Sequence, residues 1–290
     1  MPARFKISRR RVLTGAAGVA VAGVLNLPGA GGAEIQRVVR SGRINQSVSR
    51  WCYSKIPLEK FCEICKTMGL VGIDLLEPGE LPVVKKHDLV CTMLFSHSLT
   101  EGLAHKKNHA ECLSKIRRSI DAASEFGFKN VVTLSGNRYG ISTDEGIANI
   151  VEAHKKIIGH AEKKKVTLCM EYLNSKVDHK DYMFDNIAFG VEVCRQVGSD
   201  NCKILYDIYH AQIMEGDIIR TIRDYHQYIG HYHTGGNPGR NEIDDTQELY
   251  YPAIMRAIVA TGFSGYVAHE FVPKRDPLKS LAEAIKICDV

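Results

Sequence analysis

Four short segments in the second half of the chain each set one metal-binding side chain inside an otherwise apolar run: Met170-Glu171-Tyr172, Tyr206-Asp207-Ile208, Tyr232-His233-Thr234 and His269-Glu270-Phe271. A lone acidic residue in such a place is more often a helix cap or a solvated loop residue. Four in series need another account, because a charge taken out of water without a partner is costly. A cation shared among Glu171, Asp207, His233 and Glu270 would offset that cost. Three carboxylates and one imidazole suit one divalent ion, Mn²⁺, Mg²⁺ or Co²⁺, with Zn²⁺ accommodated as well. Such a centre stabilises charge developing on oxygen, and a carboxylate beside it can remove a carbon-bound proton.

The four positions must be brought together by the elements that carry them. Short apolar runs predict strands over 46–52, 72–76, 89–95, 130–134, 167–172, 203–208, 230–234 and 265–271. Amphipathic stretches between them predict helices over 58–68, 81–86, 109–126, 143–164, 186–197, 213–225, 249–261 and 277–288. Gly69, Gly127, Gly198 and Gly262 stand just past helical runs, where a left-handed cap suits glycine. Eight strand–helix units imply an α/β fold, a (β/α)8 TIM barrel occupying residues 44–290 as one domain. In that architecture function gathers at the C-terminal ends of the strands, and the four residues stand at the ends of strands five to eight. An open doubly wound sheet would also alternate, but no G-x-G-x-x-G follows the first strand.

The 290 residues, 44% hydrophobic and 24% charged, allow a large core and argue against extensive disorder. The formal net charge of +5 is accounted for by Arg4, Lys6, Arg9, Arg10 and Arg11, with no acid in residues 1–33. The remainder is near neutral, so nothing calls for nucleic acid as a partner. Ser8-Arg9-Arg10-Arg11-Val12-Leu13, followed by the weakly apolar segment 15–27, resembles a twin-arginine export signal, with small residues Gly31-Gly32-Ala33 for cleavage. The expectation is export to the periplasm, a polar linker over 34–43, and no membrane association after cleavage. All nine cysteines lie beyond residue 50, an odd count that leaves at least one thiol unpaired. Cys62-x-x-Cys65 sits inside a helical pattern without a second C-x-x-C, so the cysteines read as small core hydrophobes.

From Glu171 onward the chain resembles the xylose-isomerase-like barrels. The order Glu171, Asp207, His233, Glu270 is similar to that family's metal set, and Asp207-x-x-His210 to its D-x-x-H. Asn237-Pro238-Gly239-Arg240 followed by Glu248-Leu249-Tyr250 resembles the elements after strand seven of hydroxypyruvate isomerases, and the likeness extends over about residues 45–285. At the position of His233 that branch often carries Gln, whereas ketose epimerases carry His, which leaves the branch open. The resemblance implies that Glu171 and Glu270 act as ligands and acid–base pair, that Asp207 and His233 hold the metal, and that His210 contacts substrate. Arg240 is either a clamp on a substrate oxygen or carboxylate or a solvated loop arginine. Glu77 is either the family's strand-two glutamate or a loop charge, and His97 either a pocket residue or a satisfied surface histidine. The substrate implied is a small carbohydrate or hydroxy-keto acid, without a phosphate cradle, and assembly into a homo-oligomer is left open. A keto-sugar lyase or hydratase and a non-catalytic carbohydrate-binding barrel are the alternatives. A nuclease of the endonuclease IV type would need a D-x-H after strand seven, and residues 241–247 hold none.

Overall fold

Apolar runs of four to six residues, buried on both faces, need cover on both, and helices supply it on one side while the closed barrel supplies it on the other. The computed structural model describes residues 35–290; the twin-arginine-like segment and its cleavage site near Ala33 lie outside them. In chain order the elements are β1 (Asn45–Ser49), α1 (Leu58–Met68), β2 (Gly72–Leu76), α2 (Leu81–Lys86), β3 (Val90–Leu94), α3 (His109–Phe126), β4 (Asn130–Thr133), α4 (Thr143–Lys164), β5 (Thr167–Glu171) and α5 (Ile187–Val197). There follow β6 (Cys202–Asp207), α6 (Ile208–Met214), α7 (Ile218–Tyr225), β7 (Ile229–Thr234), α8 (Tyr251–Ala260), β8 (Tyr266–His269) and α9 (Pro277–Cys288). The eight strands are parallel and close in sequence order, β1 pairing with β8.

The main core lies between sheet and helices, while Met93, Val132, Leu134, Cys169 and Leu205 form a smaller cluster of their own. Among the described residues no helix is long and apolar enough to cross a membrane. All nine cysteines are free, and all but Cys52 are buried. Burial pushes the Cys62 thiol up to about 11, in keeping with a packing role.

Two local departures from the sequence pattern matter for the site. The helix expected over 213–225 is two helices. Asp207 ends β6 and at once caps α6, its side chain accepting from the backbone N–H of Tyr209 and His210. Gly216 (φ 67°) and Asp217 (φ 47°) then break the run before α7. Asp207-x-x-His210 is therefore the first turn of a helix, which puts both side chains at the barrel mouth. The second departure is in β2, whose register against β3 slips on both sides of Asp74, with Leu75 at φ 52°. A bulge of this kind re-aims the side chains around it. Asp74 packs against imidazoles of β7, Leu75 faces the mouth, and Leu76 joins the outer core.

Residues 35–43, expected as a linker, lie against the barrel. The backbone N–H groups of Val38 and Val39 donate to Met68 O at 2.9 and 3.2 Å, and Asp289 accepts from those of Arg40, Ser41 and Gly42 at 2.5–2.9 Å. The two ends of the described chain are thereby tied together.

Candidate active site

Register brings the four expected donors to one level. Glu171 is the last residue of β5, Asp207 the last of β6 and paired with His233 of β7, and Glu270 directly follows β8. His233 Nδ1 lies 2.8 Å from Glu270 Oε2, 3.6 Å from Glu171 Oε1 and 3.8 Å from Asp207 Oδ2. One ligand atom from each of the four lies within 4.8 Å of all the others, and all four residues are buried.

Their protonation is uneven. Burial, reinforced by Glu270, pushes Glu171 up to about 8, and burial opposed by Arg240 leaves Asp207 at about 7. Burial also disfavours the Glu270 anion, yet Arg240, His233 and the Trp51 N–H together outweigh it and hold that carboxyl well below its ordinary value. For His233, burial is overcome by Glu270 and Asp74, which raise it well above the usual imidazole range. The donor set fits a divalent cation on this evidence: three buried carboxylates crowd one imidazole nitrogen, and protons stand where a cation would relieve the crowding.

The second ring of contacts is equally specific. Arg240 Nη2 lies 2.5 Å from Glu270 Oε2 and 3.5 Å from Asp207 Oδ2, its guanidinium between the rings of Trp51 and Tyr209 at 5.3 and 5.7 Å. The loop that carries it doubles back tightly: Gly236 N donates to Asn241 O, and a Cβ on Gly236 would stand 2.0 Å from Glu242 O. Arg240 is thus not a solvated loop arginine; its guanidinium is directed at the acidic cluster. Trp51 Nε1 donates to Glu270 Oε1 at 2.5 Å, although the residue is 42% exposed.

His210 is fully buried and neutral, burial and then Arg240 keeping its pKa well below 6.5. Asn174 Oδ1 accepts from the N–H groups of Val177 and Asp178, which turns its Nδ2 toward His210 Nδ1 at 2.6 Å and Asp178 Oδ2 at 2.7 Å. His210 Nδ1 is thus the acceptor and Nε2 carries the proton, 3.6 Å from Asp207 Oδ2 and without a hydrogen-bond partner. Tyr209 donates its hydroxyl to the same Asp178 oxygen at 2.8 Å.

A cavity of about 550 Å³ opens on this cluster, lined by Glu171, Glu270, Arg240, Trp51 and His179 and by apolar residues that include Leu75, Phe95 and Leu99. Glu77 is exposed at its rim and caps the turn Pro78–Glu80 in a reciprocal box with Glu80, so it lies near the cavity and has a local structural task too. His97 does not line the cavity. It is buried, its Nε2 accepting from Leu134 N at 3.2 Å, and burial pulls it down to about 4. The pocket role weighed for it is not where the structure puts it. Sequence reasoning passed over Asp74, Trp51, Asn174 and His179. Only Asp74, an aspartate inside the apolar run Gly72–Leu76, carried the signal used to find the others.

The shifted carboxyls predict how cation binding depends on pH. Glu171 and Asp207, raised from 4.5 and 3.8 to about 8 and 7, hold protons in the folded metal-free protein that the unfolded chain has released. Their contribution to stability therefore declines as pH rises from about 4 to about 8. A cation must displace those protons, so Mn²⁺ should bind at least about tenfold more tightly at pH 8 than at pH 6. Emission from Trp51, the single tryptophan and a neighbour of Glu270, provides the titration signal; equal affinity at the two pH values would contradict the assignment.

The family model described as xylose isomerase-like TIM barrel matches residues 82–288. Hydroxypyruvate isomerase of Escherichia coli (strain K12) is 29% identical over 219 residues, which cover 71% of this chain and 84% of that protein. The chain spans only 41% of the length of the first curated relatives it matches. AP endonuclease, family 2 from Brucella melitensis superposes with a TM-score of 0.75 at 21% identity, over 83% of this chain and 97% of the other. The 3-keto-D-glucoside 4-epimerase of E. coli gives 0.72 at 18% identity, over 83% and 97%. At such identities the superpositions speak for the fold alone.

Proposed function

Because the chain belongs to the xylose isomerase-like TIM barrel family, we propose that it is a divalent-metal-dependent isomerase or epimerase of a small carbohydrate or hydroxy-keto acid. The reading is closest to hydroxypyruvate isomerase, by way of an enediolate. The observation that carries it is the convergence of Glu171, Asp207, His233 and Glu270 within 4.8 Å at the end of a cavity that Glu171 and Glu270 line. When bound, the ion would be held by these four residues and would draw charge from the substrate's carbonyl and neighbouring hydroxyl oxygens.

The remaining work falls to the chain. A proton on carbon beside a carbonyl must leave a weak acid, which requires a base within hydrogen-bond reach and an acid to return it. Glu171 and Glu270, both beside His233 and both lining the cavity, are the two carboxylates placed to take that proton and to return it. Arg240, which lines the cavity, supplies a charged donor to substrate oxygens, while His210, buried behind it, keeps an unpartnered Nε2–H beside Asp207. Delivery of the proton to the adjacent carbon gives isomerisation, and delivery to the opposite face of the same carbon gives epimerisation. The proposal also keeps the twin-arginine reading of residues 8–13, which would set the reaction outside the cytoplasm.

The test is exchange with solvent. In D₂O with Mn²⁺, hydroxypyruvate and a panel of unphosphorylated ketoses should include compounds that take up deuterium at the carbon beside the carbonyl, followed by NMR, and a chelator should stop the uptake. A protein that binds the ion and a ketose yet exchanges no proton would instead be a binding barrel.

A further inference from the structure

Asp74 is completely buried, and among the described residues no lysine or arginine pairs with it. Its neighbours are two imidazoles and a hydroxyl. Oδ1 lies 3.0 Å from His233 Nε2, while Oδ2 accepts from Thr92 Oγ at 2.7 Å and lies 2.9 Å from His231 Nε2. The strand that presents it is bulged at this point, with a leucine held in the left-handed region. A non-glycine residue there costs on the order of 1–3 kcal/mol. Burying a carboxylate costs several more, which the two imidazoles offset only in part. Two costs at adjacent residues, Leu75 and Asp74, call for a function.

The geometry supplies one. An imidazole can offer a lone pair to a cation from one nitrogen only when the other carries the proton, and either tautomer is available to a free ring. His233 turns Nδ1 toward Glu171, Asp207 and Glu270. A carboxylate can only accept, so Asp74 on the far side of the ring selects the Nε2–H form and leaves the Nδ1 lone pair aimed at the cluster. The edge of His231 stands against the same ring, centroids 5.2 Å apart and planes at 83°, which limits rotation. Thr92 holds the other carboxylate oxygen and so fixes the plane of Asp74.

We infer that Asp74 is a positioning residue for the metal centre: through His233 it fixes the nitrogen presented to the cation and so sets the affinity of the site. This rests on the metal-dependent reading above. Outer partners of ligand histidines are worth 10- to 100-fold in metal affinity as a class. A competing account is that Asp74, His231 and His233, whose donor atoms also lie within 4.8 Å of one another, ligate an ion of their own.

Equilibrium dialysis with Mn²⁺ on the full chain, with folding checked by circular dichroism after chelation, separates the accounts. Wild type should bind one ion per chain. Asp74→Ala should bind it about 10- to 100-fold more weakly; Asp74→Asn, whose amide oxygen can still accept from Nε2, should lose less. Thr92→Val, which removes only the hydroxyl that steadies Asp74, serves if Asp74→Ala does not fold and should weaken binding detectably. The visible spectrum of bound Co²⁺ should change in Asp74→Ala, a readout that a merely structural carboxylate would leave alone. Unchanged Mn²⁺ affinity in folded Asp74→Ala overturns the inference while leaving the metal-dependent reading intact. So do two ions per chain with one lost in His231→Gln. No ion in wild type overturns that reading and the inference together.

Discussion

Replacing Glu171 or Glu270 by glutamine should each slow solvent exchange at the substrate carbon by about 10³-fold, within the 10²–10⁴ range of a positioned acid or base. The two substitutions should nevertheless part company in the metal-free protein. Glu171 favours its neutral form below about pH 8, so an amide of the same shape changes little, and stability at pH 7 should stay within about 1 kcal/mol of wild type. Glu270 is the shared acceptor for Arg240, His233 and Trp51. Taking away its charge leaves a buried guanidinium and imidazole without their nearest partner, a loss of about 3 kcal/mol, at the lower end for a broken buried pair because Asp207 and Asp74 remain. Urea unfolding in the presence of chelator measures the difference, and deuterium uptake measures the catalytic loss. Equal destabilisation by the two variants would mean that the asymmetry between the carboxylates is absent.

Arg240→Met should move two affinities in opposite directions. The guanidinium is a positive charge against Glu270 and Asp207, the same oxygens a cation would use. With it gone, Mn²⁺ should bind several-fold more tightly, since like charges compete for one acidic site. An anionic or polarised substrate loses a charge-assisted hydrogen bond worth about 1.5–3 kcal/mol, so KM should rise by about 10- to 100-fold. Titration of Trp51 emission gives the first quantity and steady-state kinetics the second. A variant with unaltered metal affinity and unaltered KM would return Arg240 to the status of a loop arginine.

Much of this was legible in the chain. Helices α1, α2, α3, α4 and α9 have the limits expected from their amphipathic patterns. They are long or firmly punctuated, with glycine in the left-handed region after α1 and α3. Glu171, Asp207, His233 and Glu270 could be found because a charge inside a buried strand breaks an apolar run, and the break is visible without any partner being known. The split of the helix expected over 213–225 was hidden for a related reason. Asp207 serves both as strand terminus and as helix cap, and local pattern assigns a residue to one element at a time.

Composition and order thus determined that eight strand–helix units would form a barrel and that four donors would stand at one end of it, because periodicity and burial are local properties of the sequence. Tertiary structure alone decided which way the side chains face and what stands behind them. Asp74, more than half the chain away from His233, reaches it only because β2 bulges and the barrel closes. Arg240 meets Glu270 only because its loop folds back over β8, and Trp51 because β1 closes on β8. His97 and His210 look alike in sequence, yet one ends as an acceptor for a backbone amide and the other with a free N–H beside the acidic cluster. The reason is physical. Burial is encoded residue by residue, whereas hydrogen-bond partners and the pKa shifts they cause depend on atoms that only the closed barrel brings within 3 to 4 Å.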